Sequence, residues 1–349
     1  MENVPKQYNY CLDFIKGLAC IFVVFMHCEF PGMTGVAVQA ISRFCVPFFF
    51  MVSGYFCFRP LLQQVDNSKV VAVNGRCDSV IIKRKICHIA KITFYASLFY
   101  LAFVLLRQAL FHNQNLSFGK GQVLIWLFFN QPFVIAGHLW FLFALLYAYV
   151  FYGILEWFNL RKFAYVLACI MFVVYVCLAQ GAYLAGVHIP NYFYRNWLIE
   201  AFPYFMLGHW IHENQDRIKI SNKTLFLIIF VTTLLCLVER KIMGRDFGVN
   251  IVTIPQVFAL FVYAVKNPAR HKGAMQRLGH NCSMMVYIIH IAIWVLLARL
   301  LYKYLGITEN LLALYLKPVL VVVFSILFAL FFNAIVAKVK SLKTASKTV

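Results

Sequence analysis

The sequence predicts an all-α integral membrane protein, a bundle of about ten transmembrane helices with both termini in the cytoplasm. Composition supports this class, because 63% of the 349 residues are hydrophobic, only 13% are charged and the mean hydropathy is +0.78. Soluble domains are about half apolar and about one quarter charged. Two further patterns support it: long apolar runs recur along the chain, and Lys and Arg are distributed unevenly between them.

Ten apolar runs approach the roughly 20 residues with which a helix crosses a bilayer. The predicted spans are residues 12–28, 36–58, 86–107, 138–158, 162–180, 196–213, 222–239, 250–266, 281–302 and 314–337. The shorter run "VLIWLFFNQPFVIA" (123–136) is broken by polar residues and a proline, so we interpret it as a re-entrant or interfacial segment. We expect one transmembrane domain over residues 1–340 and a basic cytoplasmic tail over 341–349.

The basic residues set the expected orientation. The predicted inside segments hold roughly 20 of the 32 Lys and Arg residues and the outside segments roughly nine, which follows the positive-inside rule. We therefore expect a multi-pass protein of the inner (plasma) membrane. The net charge of +20 is then explained by topology and anionic lipid, and no motif supports a nucleic-acid partner.

Several classes of chemistry lack support in the sequence. None of the eleven cysteines stands in C-x-x-C spacing, and most lie in apolar runs, which favours buried thiols over zinc ligands or disulfides. The G-x-x-x-x-G-K-[ST], H-E-x-x-H and G-x-S-x-G motifs are absent, so ATP-driven, zinc-protease and α/β-hydrolase activities lose their usual evidence. We expect neither a metal site nor a bound cofactor.

The first run, "LDFIKGLACIFVVFMHC" (12–28), carries polar residues at both ends. Lys16 and His27 are eleven positions apart, roughly 1100° of helical rotation, so they share one face about 16 Å apart along the axis. Asp13 lies three residues before Lys16 and is close enough to pair with it. A histidine at a helix end is often merely interfacial, but its alignment with Lys16 favours a functional role.

The second run, "AISRFCVPFFFMVSGYFCFR", contains a charge and a proline. Pro47 cannot donate to the carbonyl of Arg43, so we expect a kink there and a polar cavity beside a buried cation. The alternative is that Arg43 extends toward the outer interface. Ser53 and Gly54 are small enough for close backbone approach to another helix.

The third run begins with a basic cluster, "VIIKRKICHIAKITFY". Lys83, Arg84 and Lys85 stand at its mouth, with His88 and Lys91 one and two turns deeper. Consecutive basic residues at the end of a loop often only set membrane topology. That account explains Lys91 less well, because Lys91 lies inside the helix. A cationic cluster of this kind suits a phosphorylated ligand at the cytoplasmic face.

Further polar residues occur in other spans: His138 in "GHLWFLFALL", Glu200 in "NWLIEAFPYF", and Ser283, Tyr287 and His290 in "HNCSMMVYIIH". Each could merely hydrogen-bond a neighbouring helix. Ionisable groups in so many separate spans favour a shared internal site.

Together these blocks resemble the acyltransferase 3 family. The resemblance rests on "LDFIKGLACIFVVFMH", "RFCVPFFFMVSGYF", the basic cluster, "HLWFL" and "VYIIH", and it covers essentially the whole chain. The family consists of integral membrane acyltransferases of about ten helices, many of which O-acetylate or O-succinylate surface glycans. Lys16 stands where many members have arginine. Arg84, Lys85 and His88 stand where the family usually has paired arginines and another arginine three residues on.

The resemblance implies the roles of the residues. Acyl-coenzyme A, with acetyl as the expected group, would dock from the cytoplasm, and its pantetheine arm would thread toward His27. His27 would act as general base, or would form a transient acyl-histidine. Lys16 and Arg43 could stabilise negative charge on the thioester arm or the oxyanion. The remaining expected contacts are donor binding by Lys83, Arg84, Lys85, His88 and Lys91, and acceptor binding by Arg43, Ser53, His138, Glu200 and His290.

The expected partners are the lipid bilayer, acyl-coenzyme A as co-substrate, a carbohydrate acceptor and glycan-assembly proteins. A second hypothesis is a secondary transporter or exporter of a glycan or lipid-linked sugar, which ten helices with buried charge also fit. No paired broken helices appear in two halves of the sequence, which disfavours transport. A membrane scaffold would leave Lys16, Arg43 and His27 unexplained. Binding of acyl-coenzyme A by the purified protein would discriminate.

Overall fold

The computed structural model describes residues 8–57, 60–66, 69–77, 79–111, 120–130, 136–301 and 310–345. These residues form two compact units. The first unit comprises residues 1–46 and 220–349, and the second comprises residues 47–219. Whether the chain acts as the single predicted domain stays a prediction, and residues 346–349 of the predicted tail lie outside the described part.

Helices dominate both units. In chain order they are α1 (Tyr10–His27), α2 (Gly32–Ser42), α3 (Cys45–Tyr55), α4 (Ser79–Phe111), α5 (Lys120–Phe129), α6 (Trp140–Trp157), α7 (Arg161–Val176), α8 (Ala182–Leu184), α9 (Phe202–Asn214), α10 (Asn222–Met243), α11 (Thr253–Lys266), α12 (Ala274–Asn281), α13 (Ser283–Arg299) and α14 (Leu311–Ala345). One antiparallel hairpin, β1 (Pro60–Asp66) and β2 (Lys69–Cys77), lies within the predicted loop between the second and third spans.

The helical membrane-protein class is confirmed, but the count of about ten spans is not. By length and composition, six helices in the described ranges can cross a membrane, or seven if the bent pair α12–α13 counts as one span. That pair meets at 82°; α13 lies within the predicted span 281–302, and α12 precedes it. Helix α11, with 14 residues, is shorter than the roughly 20 residues of a straight crossing, and α9, with 13, continues a π-helical segment, Trp197–Ala201. The orientation of the termini stays a prediction.

The re-entrant segment predicted at 123–136 is only partly described. Its first half belongs to α5, a helix of 10 residues, whereas residues 131–135 lie outside the described part of the chain. Most of the described cysteines are buried thiols, as predicted. Cys87, Cys169 and Cys177 differ: each lies in a predicted span, and each is exposed.

Helix α1 begins at a well-formed cap and packs closely against α12. The side chain of Asn9 accepts from Leu12 N at 2.8 Å, which satisfies one of the free amides of the first turn and contributes about 1 kcal/mol. A Cβ on Gly279 would lie 1.8 Å from the Asp13 carbonyl oxygen, and one on Gly17 would lie 2.2 Å from that of Met275. Both positions need glycine because the two backbones touch.

Helices α3 and α9 make the equivalent contact in the second unit. A Cβ on Gly54 would lie 1.8 Å from the Phe205 carbonyl oxygen, and a Cβ on Gly208 would lie 2.0 Å from that of Met51. The close backbone approach predicted at Ser53-Gly54 is confirmed. Small residues permit this geometry, in which dispersion contacts replace the hydrophobic effect that is absent between helices in lipid.

The predicted interruption near Arg43 is present. Helix α2 ends at Ser42, Arg43 is its C-cap, and α3 begins at Cys45. Pro47 therefore lies in the first turn of α3, where an amide would have no intrahelical partner in any case. The chain thus accommodates proline by starting a new helix before it.

Candidate active site

Two histidines come together in the first unit. His27 is the last residue of α1, and His290 lies in α13; their ring centroids are 5.2 Å apart at an interplanar angle of 43°. His290 is fully buried. Its Nδ1 lies 2.7 Å from the Tyr287 carbonyl and 3.1 Å from the Val286 carbonyl. Carbonyl oxygens only accept, so Nδ1 carries the proton and Nε2 has the acceptor lone pair.

Arg43 lies near the same end of α1. Its Nη1 is 3.8 Å from the sulfur of Met26, the residue before His27, and its Nη2 is 3.4 Å from Gln39 Oε1. Nη2 also forms an ion pair with Asp246. The side chain of Arg43 is only 10% exposed, which favours the buried cation over the interfacial one. The charge is tolerated because a carboxylate compensates it.

Asp246 is a site residue that the sequence analysis missed. It lies in the connection between α10 and α11, and its Oδ1 accepts from Gly248 N at 3.0 Å, which fixes the carboxylate toward Arg43. Arg43 and Asp246 are 203 positions apart, so no helical spacing links them. One feature of the sequence could have pointed to it. The chain has only 12 acidic residues, so each of them is a candidate counter-charge for a buried cation.

At the other end of α1, the predicted Lys16–Asp13 pair is confirmed at 2.8 Å. Asp13 also accepts a hydrogen bond from Tyr8, and His280 Nδ1 lies 3.1 Å from its Oδ2. Gln276 donates to the Tyr8 hydroxyl at 3.2 Å. The sequence analysis did not connect Tyr8, Gln276 or His280 with this end.

Tyr8 stays a donor in this cluster. Burial, and after it the hydrogen bond and negative charge of Asp13, raise the pKa of Tyr8 to about 12. Because the neutral hydroxyl is favoured in the fold, its contribution to stability is fully present below pH ~10 and is lost as the pH rises toward 12. Lys16 thus lies in a network of its own, about 16 Å along the helix from His27.

The basic cluster borders a cavity in the second unit. Arg84, Lys85 and His88 line a volume of about 350 Å³ together with Phe56 and Ile81. The three basic residues lie on one side of the continuous helix α4, because positions three and four apart are neighbours on a helix. Lys83 and Lys91 are exposed on the same helix and are not among the described residues that line the cavity.

The other predicted acceptor contacts, Ser53, His138 and Glu200, belong to three separate elements of the second unit. Ser53 Oγ donates to the Phe49 carbonyl of its own helix at 2.9 Å. The buried His138 ring lies edge-on to Tyr100, with centroids 4.9 Å apart. Glu200 is buried in the π-helical segment Trp197–Ala201, which leads directly into α9. Their roles stay predictions.

Comparison with known families identifies the class of protein. The chain matches the family model described as an acyltransferase domain over residues 9–338, nearly its whole length, so this is a membrane acyltransferase. It belongs to the acyltransferase 3 family, and the resemblance found in the sequence is confirmed. No curated protein and no solved structure matches the chain.

Proposed function

We propose that the protein transfers an acyl group, acetyl in the first instance, from acyl-coenzyme A to a hydroxyl of an extracytoplasmic or lipid-linked carbohydrate in the inner membrane. The observation that carries the proposal is the His27–His290 pair at the end of α1 where Met26 contacts the Arg43 of an ion pair, within a chain of the acyltransferase 3 family. A histidine near neutral pH can accept a proton, and the paired arginine provides a fixed positive pole.

In the proposed reaction, His27 takes the proton of the acceptor hydroxyl as the oxygen attacks the thioester carbonyl. The new C–O bond forms, the C–S bond breaks, and the thiolate of coenzyme A leaves with the proton that His27 carries. The products are the ester and free coenzyme A. The alternative route passes through an acyl-histidine, which the hydroxyl then attacks.

The groups around His27 support either route. The tautomer of His290 leaves Nε2 as an acceptor on a ring whose centroid is 5.2 Å from that of His27, and an acceptor this close would favour proton uptake by His27. Asp246 orients the guanidinium of Arg43 and keeps it paired in the resting protein. Arg43 would then stabilise the oxyanion through hydrogen bonds that are already oriented before the reaction.

The basic cavity supports recognition of the donor. Two cations and a histidine at helical spacing provide donors for phosphate oxygens, and about 350 Å³ is room for one phosphorylated end of a cofactor-sized molecule. Lys16, held by Asp13 far along α1 from His27, would act on the charge of the donor rather than in proton transfer. Glycan-assembly proteins remain a proposed partner.

The experiment measures binding and transfer by the purified full-length protein. The wild type should bind acyl-coenzyme A and acetylate glycan in the membrane, and the glycan mass spectrum of a deletion strain should lose the acyl groups. Arg84→Ala with Lys85→Ala should weaken binding of acyl-coenzyme A far more than binding of a phosphate-free thioester.

Lys83→Ala is the matched control, because it removes a neighbouring charge on the same helix outside the cavity lining. If the double variant bound acyl-coenzyme A and the phosphate-free thioester with equally reduced affinity, the cluster would act only in folding or topology. Glycan movement without acyl-coenzyme A binding would favour the transporter hypothesis.

A further inference from the structure

A second cavity lies at the ends of three helices of the second unit. It encloses about 610 Å³ where α6 ends, α7 begins and α9 ends. Asn159, in the left-handed conformation at φ 57°, terminates α6 and allows the immediate reversal into α7. The candidate span Gly137–Trp157 therefore ends, and the candidate span Arg161–Leu184 begins, beside this cavity.

Exposed aromatic rings lie in the lining, at Phe163 and Trp210, and next to it in sequence, at Trp157 and Phe158. Trp157 is 84% exposed, Phe158 67%, Phe163 52% and Trp210 37%. Such a concentration of large rings at helix ends is typical of the headgroup level of a bilayer, where amphipathic rings partition. The rings therefore favour a position of this cavity at the level of the phospholipid headgroups.

The basic residues of the lining fall into two kinds. Arg161 is held by Glu156 through two parallel hydrogen bonds of 2.6 and 2.8 Å, so its charge is compensated within the protein. Lys162 and Arg217 line the same cavity, and their side chains make no hydrogen bond or ion pair with the part of the chain that the structure describes. These two cations are available to a phosphate.

A carboxylate is held in place in the same lining. Tyr165 donates to Glu213 Oε2 at 2.6 Å, so the Tyr165 oxygen must accept from His209 Nδ1 at 2.7 Å. His209 Nε2 in turn accepts from the buried Tyr152 hydroxyl at 2.7 Å. This directional chain orients Glu213 as an acceptor at the cavity, 3.8 Å from Arg161.

We propose that this cavity binds the headgroup of a zwitterionic phospholipid whose phosphate meets Lys162 and Arg217 and whose ammonium meets Glu213. A lining with both signs of charge suits a headgroup that carries both, whereas a purely anionic headgroup would face the carboxylate. A primary ammonium donates hydrogen bonds to a carboxylate and a trimethylammonium does not, so ethanolamine is preferred over choline.

The test titrates delipidated full-length protein in detergent with phosphatidylethanolamine, phosphatidylcholine and phosphatidylglycerol of identical acyl chains. Bound lipid is counted by native mass spectrometry. Phosphatidylethanolamine should bind at least about fivefold more tightly than either of the others. Lys162→Gln with Arg217→Gln should weaken phosphatidylethanolamine and phosphatidylglycerol about 5- to 25-fold, from about fivefold for each basic residue.

Glu213→Gln separates recognition from folding. It should remove the preference for phosphatidylethanolamine and leave phosphatidylglycerol binding unchanged or stronger, which an unfolded protein would not show. Lys219→Gln with Lys223→Gln is the matched control, because it removes two exposed charges that are not among the described lining residues. The control should bind all three lipids as the wild type does.

Three results would overturn the proposal. Equal weakening by the control pair would show a general charge effect, and equal affinity for the choline and ethanolamine lipids would show that no ammonium is recognised. The third is displacement of bound lipid by glycerophosphoethanolamine at the same concentration as the lipid, which would identify a soluble phosphoester as the ligand.

Discussion

The two ends of α1 differ in how their polar residues are held. At the Lys16 end, Asp13 receives contacts from Lys16, Tyr8 and His280, and the neighbouring backbone of α12 touches the helix. At the His27 end, two histidine rings face each other beside one ion pair. The Lys16 end is held by several hydrogen bonds and an ion pair, whereas the His27 end carries imidazole nitrogen atoms and the Arg43 cation.

This difference shows that Lys16 and His27, although they share one face of α1, belong to two separate groups of contacts. About 16 Å of helix separates the two side chains, too far for direct proton transfer. We therefore expect variants at the His27 end to lower the rate of transfer, and variants at the Lys16 end to change donor affinity or stability.

The largest effect is expected for His27→Gln. An amide can hydrogen-bond but cannot accept the proton, so transfer should fall about 10²–10⁴-fold while acyl-coenzyme A binding persists. Glycan acetylation and donor binding are measured in the same membranes, with expression matched to wild type. Wild-type acetylation in a stably expressed His27→Gln strain would remove His27 from the chemistry.

Asp246→Asn should come next. It leaves Arg43 without its compensating charge and orienting contact, so transfer should fall about 10- to 100-fold, the rate equivalent of a charge-assisted bond of about 1.5–3 kcal/mol. Steady-state kinetics should place the loss in kcat rather than in KM for the donor. Asp216→Asn is the control, an exposed aspartate elsewhere on the chain. A change confined to donor KM would contradict the assignment.

Lys16 should give a smaller and different change. Lys16→Gln is expected to weaken donor affinity by about tenfold, the worth of one charge-assisted contact, with little change in kcat. Lys16→Arg should retain function because arginine can keep the contact with Asp13. A lower kcat in Lys16→Arg, with donor affinity unchanged, would show that Lys16 acts in the chemical step.

Gly279→Ala should affect stability alone. Its Cβ would collide with the Asp13 carbonyl oxygen, forcing α12 away from α1 and lowering the free energy of unfolding by about 1–3 kcal/mol. Gly121→Ala, where the added atom meets open space, should leave thermal unfolding in detergent unchanged. Equal stability of the two variants would contradict the close contact.

Local spacing predicted what lies within one helix. The Lys16–Asp13 pair, the small-residue contact at Gly54 and the break near Arg43 all follow from neighbouring positions and proved correct. The Arg43–Asp246 pair and the facing of His27 and His290 depend on tertiary packing between distant segments, which spacing along one helix does not encode.

The count of about ten spans was not confirmed in the described ranges, for a related reason. Apolar runs near 202–214 and 253–266 are buried among other helices, so their hydropathy reports packing as much as membrane crossing. Composition indicates an apolar environment without distinguishing lipid from protein.

The reciprocal glycine contact between α3 and α9 also limits how the second unit can move. With Gly54 against Phe205 and Gly208 against Met51, no side chain separates the backbones, so sliding one helix past the other would drive Cα and carbonyl atoms together. The two helices must travel as one rigid body. Any opening that admits a substrate into this unit therefore has to come from the remaining helices.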